Sequence, residues 1–255
     1  MADSNKKIIF TTSWDDGHQL DLRLADLLDR YGIKGTFYVP KFFDGRLSDQ
    51  EIKKISLRHE IGAHTVNHAF LLETDKGAAT REITESKEWL TNLIGQPVKM
   101  FSYPKGQYDL QIKALVQAAG FSGARTVDII KDDYDRFALP VSLQVYPFPF
   151  RRRSAQRLHW SKFLLEPLFY YWPVIRKYHI SARSLFNWNS FARDYFRLVQ
   201  RKGGVFHLWG HSWEIEKYGL WGKLEKFLKM VSVSEDVLLL TNSQLIDYYE
   251  NINIK

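Results

Sequence analysis

The chain of 255 residues contains no cysteine, which excludes a disulfide framework and a thiolate metal site. Hydrophobic residues make up 45% of the chain and charged residues 25%, which is ordinary for a globular protein with a sizeable core. No apolar run approaches the ~18 residues of a membrane span, and the N-terminus lacks the apolar stretch of a signal peptide, so we expect a cytoplasmic location.

Strands and helices are predicted to alternate along the chain. In the first half, strands are predicted at 7–14, 35–40, 60–65, 99–104 and 123–127, and helices at 20–31, 48–55, 83–94 and 110–120. In the second half, strands are predicted at 138–146, 203–211 and 237–242, and helices at 185–201, 224–231 and 243–250. Ser48 and Glu51 have the spacing of a capping box, and Gly32 follows the end of the first helix.

This alternation is typical of parallel strands joined by helical crossovers, so the fold class is α/β. Seven or eight such units in 255 residues fit a (β/α) barrel better than an open sheet. In such barrels the chemistry gathers at the C-terminal ends of the strands. Polar residues do cluster where the predicted strands end, at 15–18, 64–68, 103–106 and 211–214, together with Arg125.

Two of these clusters have the composition of a metal site. His64 and His68 are four residues apart, and on a helical turn both imidazoles would point the same way. With one aspartate from another strand end they form the three-ligand set of a catalytic zinc site, which leaves one position for water. Asp15 and Asp16 are adjacent, so one carboxylate is expected to bind the metal and the other to act as a base or charge partner.

The motifs, in this order and on these elements, resemble those of the polysaccharide deacetylases, the NodB-homology group of carbohydrate esterases (family 4). The family motif Thr-Phe-Asp-Asp-Gly corresponds to "SWDDG", His-Ser/Thr-x-x-His to "HTVNH", and Leu-x-His to "WGH". The family motif Arg-x-Pro-Tyr/x-Gly corresponds to "SYPKG" without its arginine. The resemblance extends from about Ile8 to the last strand, excluding a basic segment, and implies a distorted (β/α) barrel of the NodB-homology, or glycoside hydrolase/deacetylase, type.

The resemblance also implies roles for the clustered residues. Asp15 is expected to be the general base, and His211 the general acid that protonates the leaving amine. Asp16, His64 and His68 are the expected ligands of one divalent metal ion. Zinc is the expectation from the family, and Co²⁺, Mn²⁺ and Fe²⁺ are alternatives for such a ligand set.

Further residues are expected around the substrate. The main-chain N–H of Lys105 is a candidate for polarising the substrate carbonyl, and Tyr103 and Trp213 are predicted to line the same site. Ser102 occupies the place of the family arginine that orients the base, and serine does not hold a carboxylate bidentately. We expect Arg125, at another strand end, to reach the same place; the alternative is a surface or structural arginine.

A basic aromatic segment at about 146–180 interrupts the barrel pattern as an insertion. Between 151 and 180 it has seven basic residues against Glu166 alone, nearly the whole net charge of +7. Pro167 is expected to bend or split a helical stripe formed by Leu164, Leu165, Leu168, Phe169 and Trp172. Basic residues beside large apolar ones favour peripheral contact with anionic lipid at the inner face of the membrane. The alternative is a barrel helix with a homo-oligomer contact; nucleic acid is disfavoured, because most of the aromatics lie in the apolar stripe.

We therefore predict a single deacetylase-like domain over residues 1–255. Its predicted function is metal-dependent hydrolysis of an N-acetyl or N-formyl group on an amino sugar, in an intracellular glycan precursor that is nucleotide-linked or lipid-linked. One alternative is an amidohydrolase that acts on a small non-sugar amide or cyclic ureide. Another is a catalytically weak glycan-binding protein at the membrane, a hypothesis that only the serine at position 102 supports.

Overall fold

The computed structural model describes residues 8–129, 134–150 and 160–253, with the main chain alone at 160–164 and 252–253. Nine strands form one sheet: β1 Ile8–Trp14, β2 Thr36–Val39, β3 Glu60–Ala63, β4 Met100–Ser102, β5 Gly123–Ile129, β6 Leu139–Val141, β7 Leu143–Gln144, β8 Gly204–Gly210 and β9 Val237–Leu239. Every strand pair in this sheet is parallel.

Ten α-helices surround this sheet in the described part of the chain. They are α1 Asp21–Arg30, α2 Asp49–Ser56, α3 Lys76–Ile94, α4 Leu110–Ala118, α5 Trp160–Tyr170, α6 Trp172–Tyr178, α7 Trp188–Lys202, α8 Ser212–Lys217, α9 Trp221–Ser232 and α10 Asn242–Asn253. The predicted capping box is present, because Ser48 and Glu51 bond reciprocally at the start of α2. None of these helices is both long enough and apolar enough to cross a bilayer.

The sheet nearly closes into a barrel, which confirms the predicted fold class. The strand order is β6-β5-β4-β3-β2-β1-β8-β7, with β9 beside the first half of β1. β6 pairs with β5, whereas β7 pairs with β8, so the short segment from β6 to β7 joins the two edges. At the join, the main-chain N–H of Ser142 donates to the carbonyl of His207 at 2.8 Å.

Three local predictions about the second half were wrong in detail. The predicted strand at 138–146 is split at Ser142 into β6 and β7, because its two parts pair with different neighbours. The predicted helix at 185–201 begins at Trp188, after a 3₁₀ turn at Ala182–Phe186. α5 continues through Pro167, and the break comes at Tyr171, just before the proline in the first turn of α6.

Alternate residues of β1 face two different layers, as the pleat of a strand requires. Phe10 packs against aromatic rings of α7, β8 and α9: Phe196, Phe206 and Phe227. Thr11 and Ser13 instead bond to polar side chains, since Thr11 accepts from the Asn242 amide and Ser13 lies 2.8 Å from His207 Nε2. All seven residues of β1 are buried, because both faces of this strand are covered by other parts of the protein.

His207 is a buried histidine held neutral by the fold. Burial, assisted by the nearby charge of Arg125, lowers the pKa of His207 to about 3. Its Nδ1–H donates to the Pro140 carbonyl at 3.1 Å, so Nε2 is left to accept from the Ser13 hydroxyl. The unfolded chain, with an ordinary histidine pKa of 6.5, therefore binds a proton below pH 6.5 that the native state excludes.

We expect the change His207→Asn to reduce the decrease in the free energy of unfolding between pH 7 and pH 5. Unfolding by urea, with chelator present, would be followed at pH 7 and pH 5. Because the excluded proton weakens the native state by ~1.4 kcal/mol per pH unit below the unfolded pKa, the wild type should lose about 1–2 kcal/mol more than the variant. Equal losses in the two proteins would contradict this account of His207.

Candidate active site

The two adjacent aspartates lie at the C-terminal end of β1. The main-chain N–H of Asp15 donates to the Gly210 carbonyl of β8 at 3.0 Å, which fixes the end of the strand. Asp16 has a positive φ of 76° and Gly17 one of 55°, so the chain turns sharply and the two carboxylates diverge. A Cβ on Gly17 would lie 2.7 Å from Val39 Cγ1, so the turn requires glycine.

His64 and His68 follow β3 on a bend and not on the helical turn expected from their spacing. Positive φ angles at Thr65 (65°) and His68 (52°) bring the two rings to 4.8 Å between centroids. The Glu82 carboxylate of α3 fixes this bend, because it accepts from two consecutive main-chain N–H groups, each at 2.8 Å. The imidazoles therefore converge by a different local structure from the predicted one.

The structure brings together the three predicted metal ligands. One ligand atom each from Asp16, His64 and His68 lie within 4.8 Å of one another. Asp16 Oδ1 is 3.9 Å from His64 Nε2 and 3.3 Å from His68 Nε2. Asp16 Oδ1 is buried and has no hydrogen-bond partner among the described residues. These distances suit donors around one tetrahedral ion with bonds of ~2.0–2.2 Å.

Neighbouring groups point the ligand atoms toward the site. His64 Nδ1–H donates to the Ser102 carbonyl at 2.8 Å, which leaves the Nε2 lone pair facing Asp16. Burial lowers the pKa of His64 to about 4, so the ring is neutral at pH 7. Trp213 Nε1–H donates to Asp16 Oδ2 at 2.9 Å, which leaves Oδ1 directed at the imidazoles. The residues therefore fit a divalent metal ion.

Arg125 contacts the predicted base, and its partner is Asp15. An Nη2–H of the guanidinium donates to Asp15 Oδ1 in a fully buried ion pair. Burial alone would raise the pKa of Asp15, but Arg125, with His64 and His211 nearby, holds this pKa below its ordinary value. Arg125 is the direct register partner of Ser102 across β4 and β5, so its side chain starts beside the position that lacks the family arginine.

His211 directly precedes α8, and its side chain is bonded to a carboxylate in the first turn of that helix. Its Nδ1–H donates to Glu214 Oε2 at 2.7 Å, and the Gln144 side-chain amide donates to the same oxygen at 3.2 Å. Burial opposes the charged imidazole, but Glu214 outweighs it and raises the pKa of His211 to about 9. His211 Nε2 faces the metal cluster, 3.9 Å from Asp16 Oδ2. A protonated histidine is thus placed beside the cluster at pH 7.

Tyr103 and Lys105, two of the residues predicted near the substrate, both follow β4. Tyr103 is fully buried, and its hydroxyl donates to the Phe137 carbonyl at 3.0 Å, so its side chain belongs to the core. Lys105 lies in the turn after β4 with a positive φ of 55°, and its side chain is exposed over Phe70. Sequence reasoning did not assign Gln144, whose place beside Glu214 depends on the β7–β8 register.

Comparisons with known proteins relate the chain to the polysaccharide deacetylases. Residues 2–124 match the family model described as polysaccharide deacetylase. A peptidoglycan-N-acetylglucosamine deacetylase of Bacillus cereus is 28% identical over 123 residues, 46% of this chain and 55% of the relative. The uncharacterized protein YlxY of Bacillus subtilis is 27% identical over 131 residues, 50% of this chain and 38% of the relative. The chain thus spans about half or less of the curated relatives it matches.

Solved structures extend the likeness of the fold beyond the matched half. A Mycobacterium smegmatis protein assigned to the polysaccharide deacetylases superposes with a TM-score of 0.71 at 17% identity, over 99% of this chain and 93% of its own. The Bc1960 peptidoglycan N-acetylglucosamine deacetylase superposes with a TM-score of 0.56 at 15% identity, over 92% and 91%. The family resemblance predicted from the motifs is confirmed, although Arg125 and His211 lie beyond the matched residues.

Replacing both His64 and His68 by alanine should abolish stoichiometric metal binding, because Asp16 alone then remains of the three ligands. Zinc and cobalt uptake would be measured by elemental analysis and by the visible spectrum of bound cobalt. His179→Ala is the matched control, since this histidine is exposed at the end of α6, away from the cluster. A wild-type protein that takes up neither metal, or a double variant that retains one ion per chain, would contradict the assignment.

Proposed function

We propose that this chain, a relative of the polysaccharide deacetylases through residues 2–124, is a metal-dependent hydrolase that removes an N-acetyl or N-formyl group from an amino sugar. The observation that carries the proposal is the convergence of three side chains suited to a metal with a buried carboxylate and with a histidine bonded to Glu214, at one end of the barrel. A bound divalent ion would polarise the amide carbonyl and increase the acidity of water in this site.

Asp15 has the properties of the general base. Its carboxylate is anionic at neutral pH because Arg125 compensates the cost of burial. The same contact fixes the orientation of the carboxylate, since the guanidinium is itself held between the rings of Tyr38 and Trp209, with its central carbon 5.2 Å from each centroid. Asp15 would accept the proton of the attacking water.

His211 has the properties of the general acid. Cleavage of an amide requires a proton on the departing nitrogen, and His211 is protonated below its pKa of about 9. Glu214 holds Nδ1, so the proton on Nε2 faces the reacting group. The products would be the free carboxylic acid and the free amine.

The contact between Arg125 and Asp15 favours the hypothesis of an active enzyme over that of a catalytically weak glycan-binding protein. The serine at position 102 raises doubt about activity only if no other group orients the base. Arg125 supplies a charged partner from the neighbouring strand. An intracellular precursor as the substrate, and its attachment to a nucleotide or a lipid, remain parts of the proposal, as does the single domain over 1–255.

Asp15→Asn and His211→Gln should each lower the rate of acetate release from N-acetylglucosamine oligosaccharides by ~100-fold or more, as expected for general acid–base groups. The zinc-loaded proteins would be compared at equal metal content. Since neither residue is among the three ligands, a variant that loses its metal would point to a structural role. Full activity in either variant would contradict the role assigned to that residue.

Arg125→Lys keeps the positive charge but loses the planar guanidinium that orients the Asp15 carboxylate. We expect kcat to fall roughly tenfold, the value of one charge-assisted hydrogen bond of ~1.4 kcal/mol. KM and metal content should stay near wild type, because Arg125 touches the base and not the ligands. A change confined to KM, or to thermal stability, would argue for a structural arginine.

We also propose that the outer face of α5 and α6 contacts anionic lipid. Phe169 is 63% exposed and Trp172 is 49% exposed, and the basic Arg176 is exposed one turn beyond. Arg151, Arg152, Arg153 and Arg157 of the predicted segment lie outside the described residues, and of Leu164 only the main chain is described. Large exposed rings beside basic groups are typical of a membrane interface.

The double change Phe169→Ser and Trp172→Ser should reduce sedimentation with vesicles of phosphatidylglycerol and phosphatidylcholine at least about tenfold, since two large apolar side chains no longer insert. Leu57→Ser is the control, because Leu57 is also an exposed apolar residue (84%) and lies outside α5 and α6, at the end of α2. Equal binding of all three proteins, or none by the wild type, would contradict the lipid contact. A concentration-dependent mass that the double change abolishes would instead favour the oligomer contact.

A further inference from the structure

The two carboxylate oxygens of Asp16 have different environments. Oδ1 lies 3.9 Å from His64 Nε2 and 3.3 Å from His68 Nε2, and it has no hydrogen-bond partner among the described residues. Oδ2 accepts a hydrogen bond from Trp213 Nε1–H at 2.9 Å. The residue is buried, so solvent has little access to the carboxylate. The protein therefore provides a donor for one oxygen and leaves the other to a ligand from outside the chain.

The orientation of the Asp16 carboxylate depends on the indole of Trp213. Within residues 8–129, 134–150 and 160–253, no second hydrogen bond reaches Oδ2. His211 Nε2 lies 3.9 Å from this oxygen, which is beyond hydrogen-bond distance. A hydrogen bond from a neutral donor to a carboxylate is charge-assisted and is among the stronger ones in proteins. Rotation of the Asp16 side chain would break this bond.

Trp213 projects from the first turn of α8, and this turn is firmly packed. Its neighbours Ser212 and Ile215 are fully buried. The main-chain N–H groups of Glu214 and Ile215 both donate to the carbonyl of His211 at 3.1 Å, which fixes the start of the helix. The indole also lies against the His211 imidazole, with ring centroids 5.4 Å apart. The indole N–H therefore has a fixed position beside the metal cluster.

The number of oxygens that Asp16 offers decides how many positions remain at the site. A carboxylate binds a metal ion through one oxygen or through both. Two oxygens from Asp16 together with two imidazoles would complete a four-coordinate site, whereas one oxygen leaves a position for water or substrate. Because the indole N–H holds Oδ2, only Oδ1 is directed at the imidazoles. The contact thus favours the open arrangement that hydrolysis requires.

We infer that Trp213 is a positioning residue of the metal site, whose indole N–H makes Asp16 a ligand through one oxygen only. This inference rests on the proposed function for the divalent ion, but it does not depend on which amide is cleaved. It differs from the sequence-based expectation that Trp213 lines the substrate site. A residue that only lines the substrate site would affect substrate binding and would leave the affinity for the metal unchanged.

Trp213→Phe keeps an aromatic ring and removes the N–H donor. Zinc affinity would be measured by competition with a chelating dye, and the coordination number by the visible spectrum of the cobalt form. We expect the Kd for zinc to rise about 10–100-fold, as is typical when the partner of a metal ligand is lost. The visible absorption of bound cobalt should weaken, because cobalt with five or more ligands absorbs less strongly than four-coordinate cobalt.

Two further proteins separate the N–H donor from the ring. Trp221→Phe is the matched control, because Trp221 Nε1–H also donates to a carboxylate, Glu216 Oε2 at 2.6 Å, that is not part of the metal cluster. This variant should match the wild type in zinc affinity and in cobalt spectrum. Replacing Trp213 by 3-benzothienylalanine puts sulfur in place of the N–H group at nearly constant shape. It should give the same two changes as Trp213→Phe.

The outcomes distinguish this inference from the proposed function. If Trp213→Phe binds zinc as tightly as the wild type, or has the same cobalt spectrum, the inference is overturned. A higher KM for N-acetylglucosamine oligosaccharides at unchanged zinc affinity would make Trp213 a residue of the substrate wall and would also overturn it. So would a sulfur analogue that behaves like the wild type, since ring volume and not the N–H would then matter. If both changes occur but the wild type releases no acetate, the inference stands and the proposed function fails.

Discussion

The buried ion pair between Arg125 and Asp15 is the interaction on which the site depends. Two adjacent carboxylates at the end of a buried strand would repel each other, and burial alone would raise the pKa of Asp15. Arg125 removes this difficulty for Asp15, and the divergent turn at Asp16 sends the second carboxylate toward two imidazoles and an indole N–H. Each acid thereby has its own environment, which is what different roles in one reaction require.

Parallel-strand geometry explains how an arginine from a different strand reaches Asp15, the contact expected of an arginine at position 102. Neighbouring parallel strands place their register partners side by side, so Ser102 and Arg125 emerge at the same level of the barrel. The guanidinium of Arg125 lies between the rings of Tyr38 and Trp209. What the site requires is therefore a guanidinium beside Asp15 at the end of the barrel, and an arginine on more than one strand can provide it.

The barrel and the residues of the site could be predicted from the sequence. The barrel follows from local hydrophobic patterns, and the site follows because the C-terminal ends of parallel strands meet at one end of a barrel. The sequence did not predict the bend between His64 and His68, because positive φ at Thr65 and His68 opposes ordinary propensity. This bend is held by the main-chain N–H groups of Val66 and Asn67, which donate to the distant Glu82. The sequence also did not predict that the strand at 138–146 is split, because the split results from pairing with two different strands, β5 and β8. The same pairing places Gln144 opposite Trp209, so the contact between Gln144 and Glu214 has no signature within any single segment of the sequence.

Glu214 connects the later part of the chain to the proposed acid through a single carboxylate oxygen. That oxygen accepts from both His211 Nδ1–H and the side-chain amide of Gln144. Gln144 and Glu214 both come after residue 124, where the family match ends. The residues that position the proposed acid therefore lie beyond the part of the chain that the family model describes.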